Sequence, residues 1–127
     1  MRDLQTIRNI NADSQAKHFI ARLNQLKEFK PDGFTMDLYG NEIKRDSGFV
    51  VAFREVNQDK LEFIVKQSFL DDNQDKRLVG GWVDAETGKF YLDWVTITED
   101  IDNAFNIAKR NNQLAIYDFG KKEVIYL

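Results

Sequence analysis

The stretch from Leu78 to Phe119, LVGGWVDAETGKFYLDWVTITEDIDNAFNIAKRNNQLAIYDF, constrains the fold more than any other part of the chain. Leu78 to Asp84 and Lys89 to Ile97 read as the two strands of a hairpin. Ala85-Glu86-Thr87-Gly88 between the runs predicts its turn. Gly88 is expected to supply the positive φ that such a turn needs. A helix follows. Ile101, Ala104, Phe105 and Ala108 recur at helical spacing, with Glu99, Asp100 and Asp102 in the first turn and Lys109 and Arg110 in the last. That charge distribution suits the helix dipole. Thr98 is the expected N-cap, and Asn111-Asn112 the expected end. Leu114, Ile116 and Asp118 alternate with Ala115, Tyr117 and Phe119 as a further strand, and Gly120-Lys121 turns into a closing strand from Glu123 to Leu127. A hairpin, a helix and returning strands predict an α+β fold on a mainly antiparallel sheet.

Upstream, Ala16, Phe19, Ile20, Leu23 and Leu26 follow helical spacing and predict a long amphipathic helix from Ser14 to Phe29. Leu4, Ile7 and Ile10 predict a separate short helix before it, with Asn11 and Asp13 offering cap oxygens between the two. Pro31-Asp32-Gly33 ends the helical segment, residues 1–30. Residues 33–127 then carry the sheet and its helix. Strands are expected at Phe34–Leu38, Ser47–Glu55 and Leu61–Gln67, the last with Leu61, Phe63 and Val65 on one face. The interleaved Ile64 reads as a strand covered on both sides. With no linker, repeat or low-complexity tract, residues 1–127 are expected to form one domain.

Composition narrows the function classes. A chain of 127 residues with 43% hydrophobic side chains can bury a core without staples. It has no cysteine, which excludes a disulfide scaffold, a thiolate zinc site and a thiol nucleophile. No apolar run approaches the ~18 residues of a membrane span, and MRDLQTIRNINADSQ lacks the apolar core of a signal peptide. The expected location is cytoplasmic, with no membrane partner. A net charge of −3 has the wrong sign for a general nucleic-acid binder, so no nucleic-acid partner is expected.

Few residues point to chemistry. Asp71-Asn73-Asp75 resembles the start of a calcium loop, but Lys76 stands where the glycine belongs and Trp82 where the glutamate belongs. It reads as an acidic surface loop. His18, the one histidine, lies off the apolar face of its helix, without a partner to orient it. Gly80-Gly81 suggests a bulge or a close backbone approach. No nucleophile elbow, P-loop or dinucleotide fingerprint is present. The chain is therefore expected to be no enzyme, with no cofactor and no metal site.

One group of residues is more suggestive. If the hairpin pairs around its turn, Trp82 lies roughly opposite the Tyr91–Asp93 region, and Lys109 and Arg110 close the helix that follows. An exposed indole or phenol stacks a purine, a guanidinium holds a pyrophosphate, and a carboxylate accepts from ribose hydroxyls. A nucleotide site needs those groups and no nucleophile. The competing reading has Trp82 and Tyr91 in the core, Asp93 as a strand-end charge and the two cations serving the helix dipole.

Four segments together, GFTMDL (Gly33 to Leu38), SGFVVA (Ser47 to Ala52), GGWVDAETGKFYLD (Gly80 to Asp93) and NNQLAIYD (Asn111 to Asp118), resemble small proteins encoded by phages and prophages. Within that group the chain is similar to the Thoeris anti-defence family, phage sponges that bind cyclic ADP-ribose signals made by bacterial TIR-domain enzymes. The resemblance implies an oligomeric, non-cleaving binder of a nucleotide-derived signal, acting in the host bacterial cytoplasm. It further implies Trp82 as the stacking aromatic, Asp93 as the polar contact, Arg110 as the phosphate-binding cation and Arg22 as an N-terminal contact. Asp93 departs from the amide expected there, and a carboxylate facing a pyrophosphate is unfavourable unless it bonds the ribose. The alternative from a different class is a protein-binding inhibitor of a bacterial defence nuclease, of anti-CRISPR or anti-restriction type. An enzyme acting on nucleotides is a third reading, without a visible base-and-nucleophile pair.

Overall fold

The computed structural model describes residues 3–71 and 74–127. Its first element is one helix, α1 (Leu4–Phe29), rather than two. Asp3 caps it by accepting from the Thr6 backbone N–H at 2.7 Å, and the same bond holds the Asp3 carboxyl below its usual value. Asn11 and Asp13 stay inside the helix because neither competes successfully for the backbone when Ala12, Ala16, Phe19, Leu23 and Leu26 form one continuous buried stripe. The turn at Pro31 follows, as the sequence predicts.

The strands are β1 (Phe34–Asp37), β2 (Phe49–Glu55), β3 (Leu78–Val83), β4 (Phe90–Thr98), β5 (Ala115–Asp118) and β6 (Glu123–Tyr126). They form one antiparallel sheet in the order β1-β3-β4-β2-β5-β6. Together with the helices this is a single α+β domain. The hairpin forms as expected: Trp82 pairs with Tyr91 and Val83 with Phe90, and Gly88 sits at φ +75° in the turn. A bulge at Phe53 in β2 breaks the register between Ala52 and Arg54.

The expected strand at Leu61–Gln67 is instead a helix, α2 (Leu61–Leu70), entered through a 3-10 turn at Gln58–Lys60. Asn57 caps that turn, its side chain accepting from Asp59 N–H. The buried residues Val65 and Ser68, with Leu61 and Ile64 partly buried beside them, follow a helical period that fits this run as well as alternation did. Helix α2 runs along α1, tied to it by Lys66–Asp13 at 3.1 Å and by Arg8 donating to the Leu70 carbonyl at 3.0 Å.

The last helix, α3 (Ile101–Arg110), starts later than expected. Asp100, not Thr98, is its N-cap and accepts from Asp102 N–H at 2.9 Å. Thr98 still helps, because its hydroxyl accepts from Asp100 N–H and from the Asn103 amide. Asn111 closes the helix and Asn112 takes the left-handed conformation after it, at φ 57°.

Register decides which face each helix covers. Val79 pairs with Trp94, and Leu92, Trp94 and Thr96 alternate onto one face of β4. On that face Phe19, Leu23 and Leu26 of α1 and Val65 of α2 pack on Phe34, Met36, Val79, Phe90, Leu92 and Trp94. Val51 pairs with Thr96 and so lies on the same face, where Ala104 and Ala108 of α3 pack on it and on Ile116. All three helices therefore share one side of the sheet. The other face is only partly covered. Val50, Val95 and Phe119 form a small cluster there with Ile43, Leu78, Ile97 and Tyr117.

Candidate binding face

The helix-free face is open where β3 and β4 leave the Ile43 cluster. Trp82 projects there, directly across from Tyr91, with the two rings stacked at a centroid distance of 4.7 Å and 14° from parallel. Trp82 is 44% exposed, large for an indole with a stacking partner. Lys89, two residues before Tyr91 and hence on the same face, holds its ammonium 4.6 Å from the phenol ring centre.

Asp93 occupies the next position along this face of β4. Its partner on β3 is Gly80, which puts no side chain beside it, and its partner on β2 is Glu55. Two carboxylates directly opposite on neighbouring strands repel. The Asp93 carboxyl is accordingly raised above its usual value, first by burial and then by the Glu55 charge. Glu55 was not singled out from the sequence, because the bulge at Phe53 decides that it meets Asp93, and single-sequence pattern carries no such signal. Lys89 was legible in principle from its i, i+2 spacing to Tyr91.

The remaining expected contacts are elsewhere. Lys109 and Arg110 are exposed at the end of α3, the helix packed on the opposite face of the sheet from Trp82. Their position suits the dipole role of the competing reading. Arg22 belongs to α1 and donates from Nε to the Gly40 carbonyl at 3.0 Å, while its guanidinium also bonds Gln25. Gly40, at φ +92°, has Arg22 and His18 close enough that an added Cβ would lie 2.8 Å from Arg22 Cγ and 2.9 Å from His18 Nε2. Both basic side chains are thus packed against one tight turn. The aromatic pair and Asp93 come together as expected; the three cations do not join them.

Two shallow depressions, of about 420 and 380 Å³, lie beside the start of α2, lined by Asp59, Lys60, Glu62, Phe63 and Lys66 and by residues 55–59. Glu55 borders the second, and Trp82 lines neither. Among the described residues no cluster of His, Asp or Glu is arranged to hold a metal ion. The acidic loop runs partly outside the described residues at Asn73, while its Asp75 accepts from the Tyr39 hydroxyl and raises that phenol's pKa. Gly80-Gly81 is neither a bulge nor a backbone approach: Phe34 and Phe90 lie over Gly81, and Val95 over Gly80. Among the described residues no helix is long and apolar enough to cross a membrane. No family model, no curated protein and no solved structure matches this chain.

Proposed function

We propose that this protein acts by binding rather than by catalysis, through the sheet face built around Trp82 and Tyr91. The observation that carries this reading is the exposed indole, stacked on Tyr91 and flanked by Asp93 and Glu55 on the face without helices. A broad aromatic surface beside two carboxylates suits a guest that is apolar and cationic, such as an Arg- or Lys-bearing segment of another protein. Its open shape suits a protein surface better than a small molecule, which is normally enclosed on several sides. Of the sponge that the resemblance implies and the protein-binding inhibitor of a bacterial defence nuclease set against it, this favours the inhibitor.

The sponge for a cyclic ADP-ribose type signal is the second reading, supported by the exposed stack, on which a purine would sit. Its phosphates would meet the carboxylates of Asp93 and Glu55 on one side of the stack and the Lys89 ammonium, held over Tyr91, on the other. The two readings separate in one experiment. Tagged protein is presented to purified bacterial defence proteins, and in parallel to cyclic ADP-ribose isomers in a melting assay. Protein capture that is lost in Trp82→Ala and weakened by Asp93→Asn supports the inhibitor. A melting shift with a cyclic ADP-ribose isomer, with the ligand recovered intact after heating, overturns it in favour of the sponge.

A further inference from the structure

The two edges of the sheet are treated differently. Along β1, residues 41–43 cover the outer side: Asp37 N–H donates to the Asn41 carbonyl at 3.0 Å, Ile43 N–H donates to Thr35 at 2.8 Å, and Met36 bridges to Glu42. The Lys30–Glu42 ion pair, 2.7 Å, anchors this cover to the end of α1. Along β6 no described residue pairs with the outer side. Exposed, unpaired strand edges are templates for another strand, and natural sheets commonly blunt them. Here one edge is blunted and one is not.

The free edge has a defined set of groups. Leu127 N–H donates to Leu114, in register with the β5–β6 ladder that pairs Ile116 with Ile125 and Asp118 with Glu123. In an antiparallel pair the bonded residues alternate, so the N–H and C=O of Val124 and Tyr126 face outward. Their side chains are 49% and 79% exposed. No charged side chain or proline lies between Val124 and Leu127 to guard the edge.

We propose that a second copy of this chain pairs antiparallel with β6, about a twofold axis at Ile125. In this register Val124 of each copy exchanges both backbone bonds with Tyr126 of the other. Glu123 then lies opposite Leu127, so the Glu123 side chains of the two copies do not face each other. Moving the axis to Val124 would set Tyr126 opposite Lys122, which sits in the turn at φ 54° and cannot extend the ladder. A β-branched residue opposite an aromatic one is a favourable cross-strand pair. Because the β1 edge is covered, pairing stops at two copies and a closed dimer results, not a filament. The axis runs perpendicular to the sheet. Both Trp82 faces consequently lie on one side of a continuous sheet, with all the helices on the other.

An edge of four residues is a small contact, so the dimer is expected to form reversibly, with a dissociation constant on the order of micromolar or weaker. Light scattering or sedimentation across about 1 μM to 1 mM should follow a monomer–dimer curve. Val124→Pro removes an outward N–H that the monomer does not use, and should leave a monomer of unchanged circular dichroism. Ile125→Cys, in a chain with no other cysteine, should form an intermolecular disulfide under mild oxidation, because residues on the axis come within bonding range. A monomer at every concentration overturns the proposal. So does a dimer that survives Val124→Pro while Ile125→Cys fails to cross-link; should Val124→Pro not fold, the cross-link alone decides.

Discussion

Trp82 and Tyr91 face each other across the β3–β4 ladder, their rings stacked 4.7 Å apart, yet the indole keeps 44% of its surface in solvent. A core pair would not be left so open, and a surface pair without a role would not usually concentrate this much aromatic area. The stack is worth about 1 kcal/mol of stability and the rest of the indole is available to a partner. Trp82→Ala is therefore expected to lower stability by about that amount while reducing partner binding tenfold or more. Arg22→Ala should do the reverse, since the lost bond to Gly40 lies on α1: a lower melting temperature with binding unchanged. Lys109→Ala and Arg110→Ala should change neither greatly. Urea unfolding with binding titrations on the same four variants checks all of this, and a binding defect in Arg110→Ala would sink the assignment of the site to the helix-free face.

Asp93 gives the face a pH signature. Burial, then the Glu55 charge, raises its carboxyl above the ordinary value of 3.8, so the folded chain holds this proton more tightly than the unfolded one. Between 3.8 and the raised folded value the native state binds more protons, and stability falls as pH rises through that window. Above it, the cost of the ionised carboxylate is fully present and constant. Asp93→Asn should raise stability at neutral pH and remove this descending limb; Glu55→Gln should give a smaller gain. Denaturant midpoints measured from about pH 3 to pH 7 read both effects. A loss of stability in Asp93→Asn at neutral pH would contradict the argument. The same two substitutions should weaken a cationic partner, which separates the stability of the face from its recognition.

Gly81 holds the hairpin against the helices. A Cβ there would lie 2.7 Å from Phe34 Cζ and 2.9 Å from Phe90 Cζ, rings that stack 6.3 Å apart at 17°. Neither ring can retreat easily, because both belong to the cluster that includes Leu23, Leu26 and Leu92. Gly81→Ala is expected to cost about 1–3 kcal/mol through overpacking. Gly88→Ala is the control: nothing lies within 4 Å of its Cβ, and only the positive φ of 75° is strained, at about 1–2 kcal/mol. Differential calorimetry distinguishes them further when Phe34→Leu is added. That change should relieve Gly81→Ala and leave Gly88→Ala unaffected.

The hairpin was legible because its register is fixed locally: Gly88 sets the turn, and once the turn is set Trp82 must meet Tyr91. The capped helix α3 and the strands β5 and β6 were legible for the same reason, being bounded by Asn111-Asn112 and Gly120-Lys121. What the sequence did not carry is the choice of sheet face. Lys109 and Arg110 sit close in sequence to the hairpin, yet α3 crosses onto the side of Val51 and Ile116, opposite Trp82. That choice depends on which apolar stripe meets which, a tertiary matter. The Glu55–Asp93 pairing likewise depends on a bulge that no local pattern announces.

The run from Leu61 to Leu70 is the sharpest case, and it supplies its own test. As a strand, Leu61, Phe63 and Val65 share one face and should be equally sensitive. As the helix α2, Phe63 and Val65 are turned about 200° apart, at ~100° per residue. Val65 is fully buried against the α1 cluster, whereas Phe63 is 62% exposed beside Asp59 and Lys66. Val65→Ala removes packed methyl groups and should cost about 2 kcal/mol. Phe63→Ser at an exposed position should stay within about 0.5 kcal/mol of wild type. Parallel urea unfolding of the two variants decides between the geometries, since equal losses can arise only if the two side chains enter the same core.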